Sequence, residues 1–294
     1  MKAAFFRLVP TVLAGALLLT APAAQAAEPI PEECRIGGFA IGCQAYSFNR
    51  FTVFEAIEKT EQAGGKTIEF YPGQRLSKEE SNVKWDHTAT EAVIQKVKDK
   101  LAQHGIRAVN YGVVRIPAAE KEARKIFDFA RKLGLYGLTT ESVDALDTIE
   151  NLAKEYDLRV GIHQHARRAK DPNYKLWDPA YVLSLVKDRD PRLGACADTG
   201  HWQTSGIKPL EGLRILRGRI VSLHLKDRPA LGVGQHDVPY GTGVADIPAL
   251  LDELRAQNFD GHISIEYEYN WDNSVPDIAQ CIGFVRGYAA ARAK

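Results

Sequence analysis

Short apolar runs alternate with longer amphipathic stretches eight times along this chain. The runs fall at 39–46, 67–71, 108–113, 137–140, 158–163, 193–198, 220–225 and 262–267, and each is short enough for a strand. Apolar positions recur at helical spacing over 52–63, 88–104, 118–133, 143–156, 179–187, 209–216, 247–257 and 275–291. Gly105, Gly134 and Asn258 each follow a helical stretch and precede a strand, where a helix stop belongs. Strict alternation of this kind implies parallel strands joined by crossover helices. No linker or low-complexity segment divides the chain, so eight units predict one closed barrel.

The faces of the predicted strands sharpen this reading. Side chains alternate across a strand. Val221, Leu223 and Leu225 therefore share one face, with Ser222, His224 and Lys226 on the other. Ile263 and Ile265 oppose Ser264 and Glu266, while Val160 and Ile162 oppose Gly161, His163 and His165. An open parallel sheet covered by helices would be apolar on both faces. One apolar face and one small or polar face ending in an ionisable group is what an α/β chain folded as a (β/α)8 TIM barrel requires, with a working mouth at the strand C-termini. The ionisable groups at the strand ends are Glu69, Glu141, His163, Asp198, His224 and Glu266. Carboxylates and imidazoles gathered on one mouth repel or take up protons unless a cation sits among them.

Composition narrows what such a mouth serves. The 294 residues carry 38 Lys plus Arg against 37 Asp plus Glu, a net charge of +1, which excludes the basic surplus of a nucleic-acid partner. Four cysteines without a C-x-x-C pair exclude a disulfide framework and a structural zinc site, although Cys34 and Cys281 could pair in an exported protein. Lys2 and Arg7, an apolar run over 12–19 and the sequence Ala24-Gln25-Ala26 read as a cleaved secretory signal peptide. The expected organisation is a signal over 1–26 and a single barrel domain over 27–294, periplasmic or secreted, with no membrane partner after cleavage.

The segments CADTGHW, VSLHLKD, HISIEYE and EFYPGQ resemble the xylose isomerase-like, AP endonuclease-type superfamily of sugar isomerases and epimerases. The likeness covers most of 27–294 and is most specific in the C-terminal half. It implies a small carbohydrate substrate, a possible homo-oligomer and one divalent metal ion, Mn, Zn, Co or Mg. The carried-over ligands are Asp198, His224 and Glu266. In the relatives the strand ahead of the aspartate ends in glutamate, and here His163 stands there. Glu141, one strand earlier, is assigned the fourth place, with His163 beside it for the substrate; a direct His163 ligand is the alternative. Glu141 and Glu266 would form the acid–base pair, with His163 moving an oxygen-bound proton.

Glu69, His201, Lys226 and Trp202 are assigned to the substrate. His201 completes a D-x-x-H pair that also occurs in multi-zinc endonucleases of this superfamily, but the early strands offer Glu69 and Asn110 instead of further histidines. Tyr46, Trp202, Tyr267 and Trp271 are candidates for an apolar wall, and the loop 234–247 is expected to border the mouth without the Walker lysine of a phosphate loop. His87, His104 and His262 receive no role, while His236 could reach the site from that loop, although a lone loop histidine is more often solvated. The expected reaction is isomerisation or epimerisation through an enediolate. Elimination or hydration of a 3-keto sugar or glycal is the alternative, and a non-catalytic sugar-binding module is the reading from another class.

Overall fold

The computed structural model describes Met1 and residues 29–292. Residues 2–26 of the predicted signal lie outside the described residues. Eight parallel strands form the barrel: β1 Phe39–Gln44, β2 Thr67–Phe70, β3 Arg107–Tyr111, β4 Gly137–Thr140, β5 Arg159–His163, β6 Leu193–Asp198, β7 Ile220–Leu225 and β8 His262–Ile265. Each pairs with its neighbours in chain order, and β1 pairs with both β2 and β8, which closes the sheet. The surrounding helices are α1 Val53–Gln62, α2 Glu91–His104, α3 Glu120–Leu133, α4 Leu146–Tyr156, α5 Pro179–Val186, α6 Pro209–Ile215, α7 Ile247–Ala256 and α8 Val275–Arg292.

Local signals account for these boundaries. Thr52 and Glu55 cap α1 reciprocally, each side chain taking the other's backbone N–H. Gly105 and Gly134 stop α2 and α3 at φ 60° and 67°, a region that costs glycine little. Four strands end sooner than the apolar pattern predicts, and at the ends of β1 and β8 side chains capture the next backbone N–H groups. Gln44 Oε1 accepts from Tyr46 N–H at 2.8 Å and turns the chain into a 3-10 segment, Ala45–Phe48. Ser47 Oγ accepts from Tyr267 N–H at 2.7 Å beyond β8.

Register sets depth in the barrel. His224 lies beside Asp198 on one side and Ser264 on the other, whereas Glu69 sits in a row with Gln44 and Asn110. The interior beneath the mouth is close-packed. A Cβ at Gly161 would stand 2.9 Å from Cys196 Cβ and 3.0 Å from Ser222 Oγ. Gly161→Ala is therefore expected to cost about 1–3 kcal/mol through overpacking, lowering Tm by roughly 2–10 °C in a domain of this size. An unchanged melting curve would contradict a filled interior.

All four cysteines are buried and free, and Cys34 and Cys281, which the sequence left open as a pair, are not joined. Cys34 packs in a small cluster with Ile30, Val109 and Tyr136, while Cys281 belongs to the main core. No helix among the described residues is long and apolar enough to cross a membrane.

Candidate metal centre and active site

Four residues from the last strand ends offer donor atoms that all lie within 4.8 Å of one another: His163, Asp198, His224 and Glu266. His163 Nε2 is 3.6 Å from Asp198 Oδ2, and His224 Nδ1 is 3.7 Å from that oxygen and 3.2 Å from Glu266 Oε2. Donors around a tetrahedral ion with bonds of about 2.0–2.2 Å are separated by roughly 3.3–3.6 Å. His163 Nε2, Asp198 Oδ2 and His224 Nδ1 are buried and make no hydrogen bond of good geometry, although the Lys226 ammonium lies 3.1 Å from Asp198 Oδ2. Orphaned buried polar atoms are costly, and three converging on one point fit a cation between them. Two imidazoles with two carboxylates suit Zn, Mn, Co, Fe or Mg.

The surroundings aim these donors. Asp198 closes β6 and caps the short helix Thr199–Thr204, its Oδ1 accepting from His201 N–H at 2.7 Å, which turns Oδ2 toward the cluster. His163 Nδ1 lies 3.0 Å from Glu141 Oε1, and His224 Nε2 lies 3.1 Å from Glu69 Oε2. An ionised carboxylate only accepts, so each histidine directs its outer N–H at that carboxylate and, once neutral, would offer the inner nitrogen to an ion in the cluster, as metal-ligating histidines do.

The geometry matches the alternative reading of the fourth position, His163, more closely than the Glu141 assignment. The converging nitrogen belongs to His163, and Glu141 stands behind it as its orienting acceptor. Glu141 also accepts from Tyr174 O–H at 3.1 Å. Burial opposes its charge, but His163 and His165 hold the Glu141 carboxyl below its ordinary range.

Glu69 is not on the cavity wall. It is fully buried beneath the cluster, where Asn110 Nδ2 and Ser264 Oγ donate to it at 2.8 and 2.7 Å and His262 Nε2 lies at 3.4 Å. Burial raises its carboxyl, and His224 and His262 outweigh that and hold it well below the usual range. His262, given no role from the sequence, belongs to this support. Trp202 is likewise absent from the wall; it is fully buried, with its ring packed on Gly212.

Lys226 is fully buried and does not line the cavity. Its Nζ lies 3.1 Å from Asp198 Oδ2, 2.8 Å from Glu266 Oε2 and 2.7 Å from Glu268 Oε2. Burial disfavours its charge, and the three carboxylates nonetheless hold the ammonium well above its ordinary pKa.

Above the cluster opens a cavity of about 300 Å³. One wall is aromatic and apolar, with Tyr46, Tyr71, Pro72 and Val113; the other carries Glu141, Glu266, Glu268, His163, His165 and His201. Tyr46 meets Tyr71 and Trp271 edge to face, with centroids 5.2 and 5.9 Å apart. Tyr267 is buried on the opposite side of the strand end. The His165 and His201 rings lie 3.9 Å apart, and burial keeps the His201 imidazole well below its usual pKa, hence neutral. His165 and Glu268 were not singled out from the sequence, although each continues the alternation of a recognised residue two positions earlier.

The loop after β7 is organised by Asp227, which accepts from Gly241, Gly243 and Ala245 N–H at 2.9–3.0 Å. A Cβ at Gly243 would meet Asp227 Oδ1 at 2.2 Å, so that glycine serves the loop's own fold and not a ligand. His236 is exposed and stacks on Tyr269, while His104 pairs with Glu61 and His87 contacts Tyr111.

Among solved structures, a putative uncharacterised protein from Parabacteroides distasonis is 30% identical, with a TM-score of 0.68 over 85% of this chain and 99% of that one. A D-tagatose 3-epimerase-like protein is 16% identical, with a TM-score of 0.66 over 86% and 99%. A xylose isomerase-like TIM barrel protein from Mycobacterium smegmatis in complex with magnesium is 12% identical, with a TM-score of 0.67 over 86% and 97%. No curated protein matches the chain. The family model for the xylose isomerase-like TIM barrel matches residues 137–287, from β4 into α8 and across every donor of the cluster. The chain belongs to the xylose isomerase-like TIM barrel family.

Proposed function

We propose that this chain is an exported, metal-dependent enzyme that abstracts and returns a proton beside the carbonyl of a small carbohydrate, as an isomerase or epimerase. The observation that carries the reading is the set of three orphaned donors with Glu266, each histidine backed by a carboxylate. His163, Asp198, His224 and Glu266 would hold one divalent ion. When bound, such an ion supplies a Lewis acid that polarises a carbonyl.

The chain's own groups do the rest. The aromatic wall takes the C–H face of a sugar ring, and the polar wall takes its hydroxyls. Glu266 and Glu141, at the ends of opposite barrel strands, accept the carbon-bound proton on one side and return it on the other. A carboxylate held in its charged form is ready as a base at neutral pH, and positioned proton transfer contributes about 10²–10⁴ in rate. The neutral His201 and its neighbour His165 move the oxygen-bound proton, a task that falls to them when His163 is committed to the cluster. Return of the proton to carbon gives isomerisation or epimerisation.

The test is incubation with free and 3-keto sugars in deuterated water, followed by mass spectrometry. Deuterium incorporated at carbon with the sugar's composition otherwise unchanged is the expected result. A product changed by one water or one leaving group would move the reaction to elimination or hydration. Tight metal-dependent binding without C–H exchange would replace the enzyme by a binding module.

A second consequence concerns protons released on metal uptake. Burial disfavours charge on His163 and His224, but Asp198 and Glu141 push His163 up to about 10, and His224 is raised well above its usual value by Glu69, Glu266 and Asp198. Both are therefore cationic in the metal-free protein at pH 7. A ligating histidine must be neutral, so uptake releases up to about two protons, and affinity rises roughly 10–100-fold per pH unit between pH 6 and 8. Calorimetry in buffers of different ionisation enthalpy counts those protons; a pH-independent affinity would contradict the ligand set.

A further inference from the structure

The reading above leaves the class of sugar open, and the charge layout of the cavity narrows it. Three carboxylates stand on the polar wall, Glu141, Glu266 and Glu268, and among the described residues no lysine or arginine lines the cavity. The neighbouring cations stand behind or beside these carboxylates and are each paired with one or more of them or with Asp237. Lys226 is enclosed by Asp198, Glu266 and Glu268, and Arg228 is buried against Asp237 at 2.9 Å. Arg168 lies over the Tyr174 ring and reaches Glu141 at 3.4 Å.

Glu268 is the member of this wall outside the metal cluster and its histidine supports, and it meets the cluster only through Lys226, which it shares with Asp198 and Glu266. It follows Glu266 by two residues beyond the end of β8, and both side chains line the cavity. Its backbone N–H donates to Asp237 Oδ2 at 2.8 Å, which fixes the strand extension. Its ion pairs, with Lys226 at 2.7 Å and Arg228 at 3.9 Å, are both made through Oε2. The carboxylate is thus held rigidly, a quarter exposed, with Oε1 left to accept from a ligand.

We propose that Glu268 is a specificity-determining residue that accepts hydroxyls of an uncharged, unphosphorylated sugar and turns away sugar phosphates and sugar acids. The proposal rests on the carbohydrate reading of the same site. A fixed carboxylate accepts two hydroxyl donors well and cannot donate to an anion. Like charges brought together in a partly desolvated cavity repel strongly, and a repulsive element of this kind separates ligands that share the same ring.

The test is calorimetric binding to the metal-loaded protein with paired probes: D-fructose and D-fructose 6-phosphate, D-glucose and D-glucose 6-phosphate. The wild type is expected to bind the better free sugar at least about tenfold more tightly than its phosphate, the worth of a charge-assisted hydrogen bond or more. Glu268→Gln, which keeps an oxygen for Lys226, should weaken the free sugar about tenfold and bring the two within roughly threefold of each other. Glu268→Arg should reverse the order. A wild type that binds the phosphate as tightly as the free sugar overturns the role of Glu268 and leaves the carbohydrate reading standing. Failure of both partners of every pair, and of 3-keto sugars, to bind overturns the carbohydrate reading and this proposal with it.

Discussion

Replacing His163 by glutamine should strip the protein of its metal and its activity together. About one divalent ion per chain is expected in the wild type and less than about a tenth of that in His163→Gln, because the variant removes a nitrogen donor from a four-donor set. Glu141→Gln makes the contrast. It leaves the four donors in place and weakens only the orientation of His163, so metal affinity should fall by about 10–100-fold, the usual cost of losing an orienting partner. Metal analysis of the two variants, with circular dichroism to show that both are folded, separates the roles. An ion retained by His163→Gln and lost from Glu141→Gln would return Glu141 to the ligand position.

Glu266→Gln carries the second large effect. Glu266 is both a donor of the cluster and a cavity-facing carboxylate, with its Oε2 on Lys226 and His224. Burial raises its carboxyl, and Lys226 and His224 outweigh that and depress it strongly, so it is charged throughout the physiological range. The amide cannot serve as that base. Exchange of the sugar's carbon-bound proton should fall by about 10²–10⁴ even in excess metal. Exchange that excess metal restores to the wild-type rate would limit Glu266 to ligation and leave the base to Glu141.

Much of this architecture is legible in the sequence because a parallel barrel writes its two faces differently. The alternation Val221, Leu223, Leu225 against Ser222, His224, Lys226 marks both the strand and the side that carries chemistry. Parity does not report depth, which depends on the stagger of the strands around the barrel. Glu69 has the right parity and still lies beneath the mouth, level with Gln44 and Asn110, where it supports His224. Nor does parity report reach. Glu141 lies just past β4, so its carboxylate meets the outer nitrogen of His163 and not the centre of the cluster. Trp202 follows His201 on a helix, and a single residue's rotation of about 100° carries it from the mouth into the core. Lys226 looks like a free cation at a strand end, and only the approach of Glu268 from the next strand shows that its charge is already matched.

The most direct measurement is C–H exchange by one preparation before chelation, after chelation and after reconstitution. With a sugar that the wild type turns over in deuterated water, exchange should vanish on removal of the divalent ion and return in proportion to the metal added back, levelling at about one ion per chain. Exchange that continues unchanged in chelated protein would contradict a metal centre at His163, Asp198, His224 and Glu266.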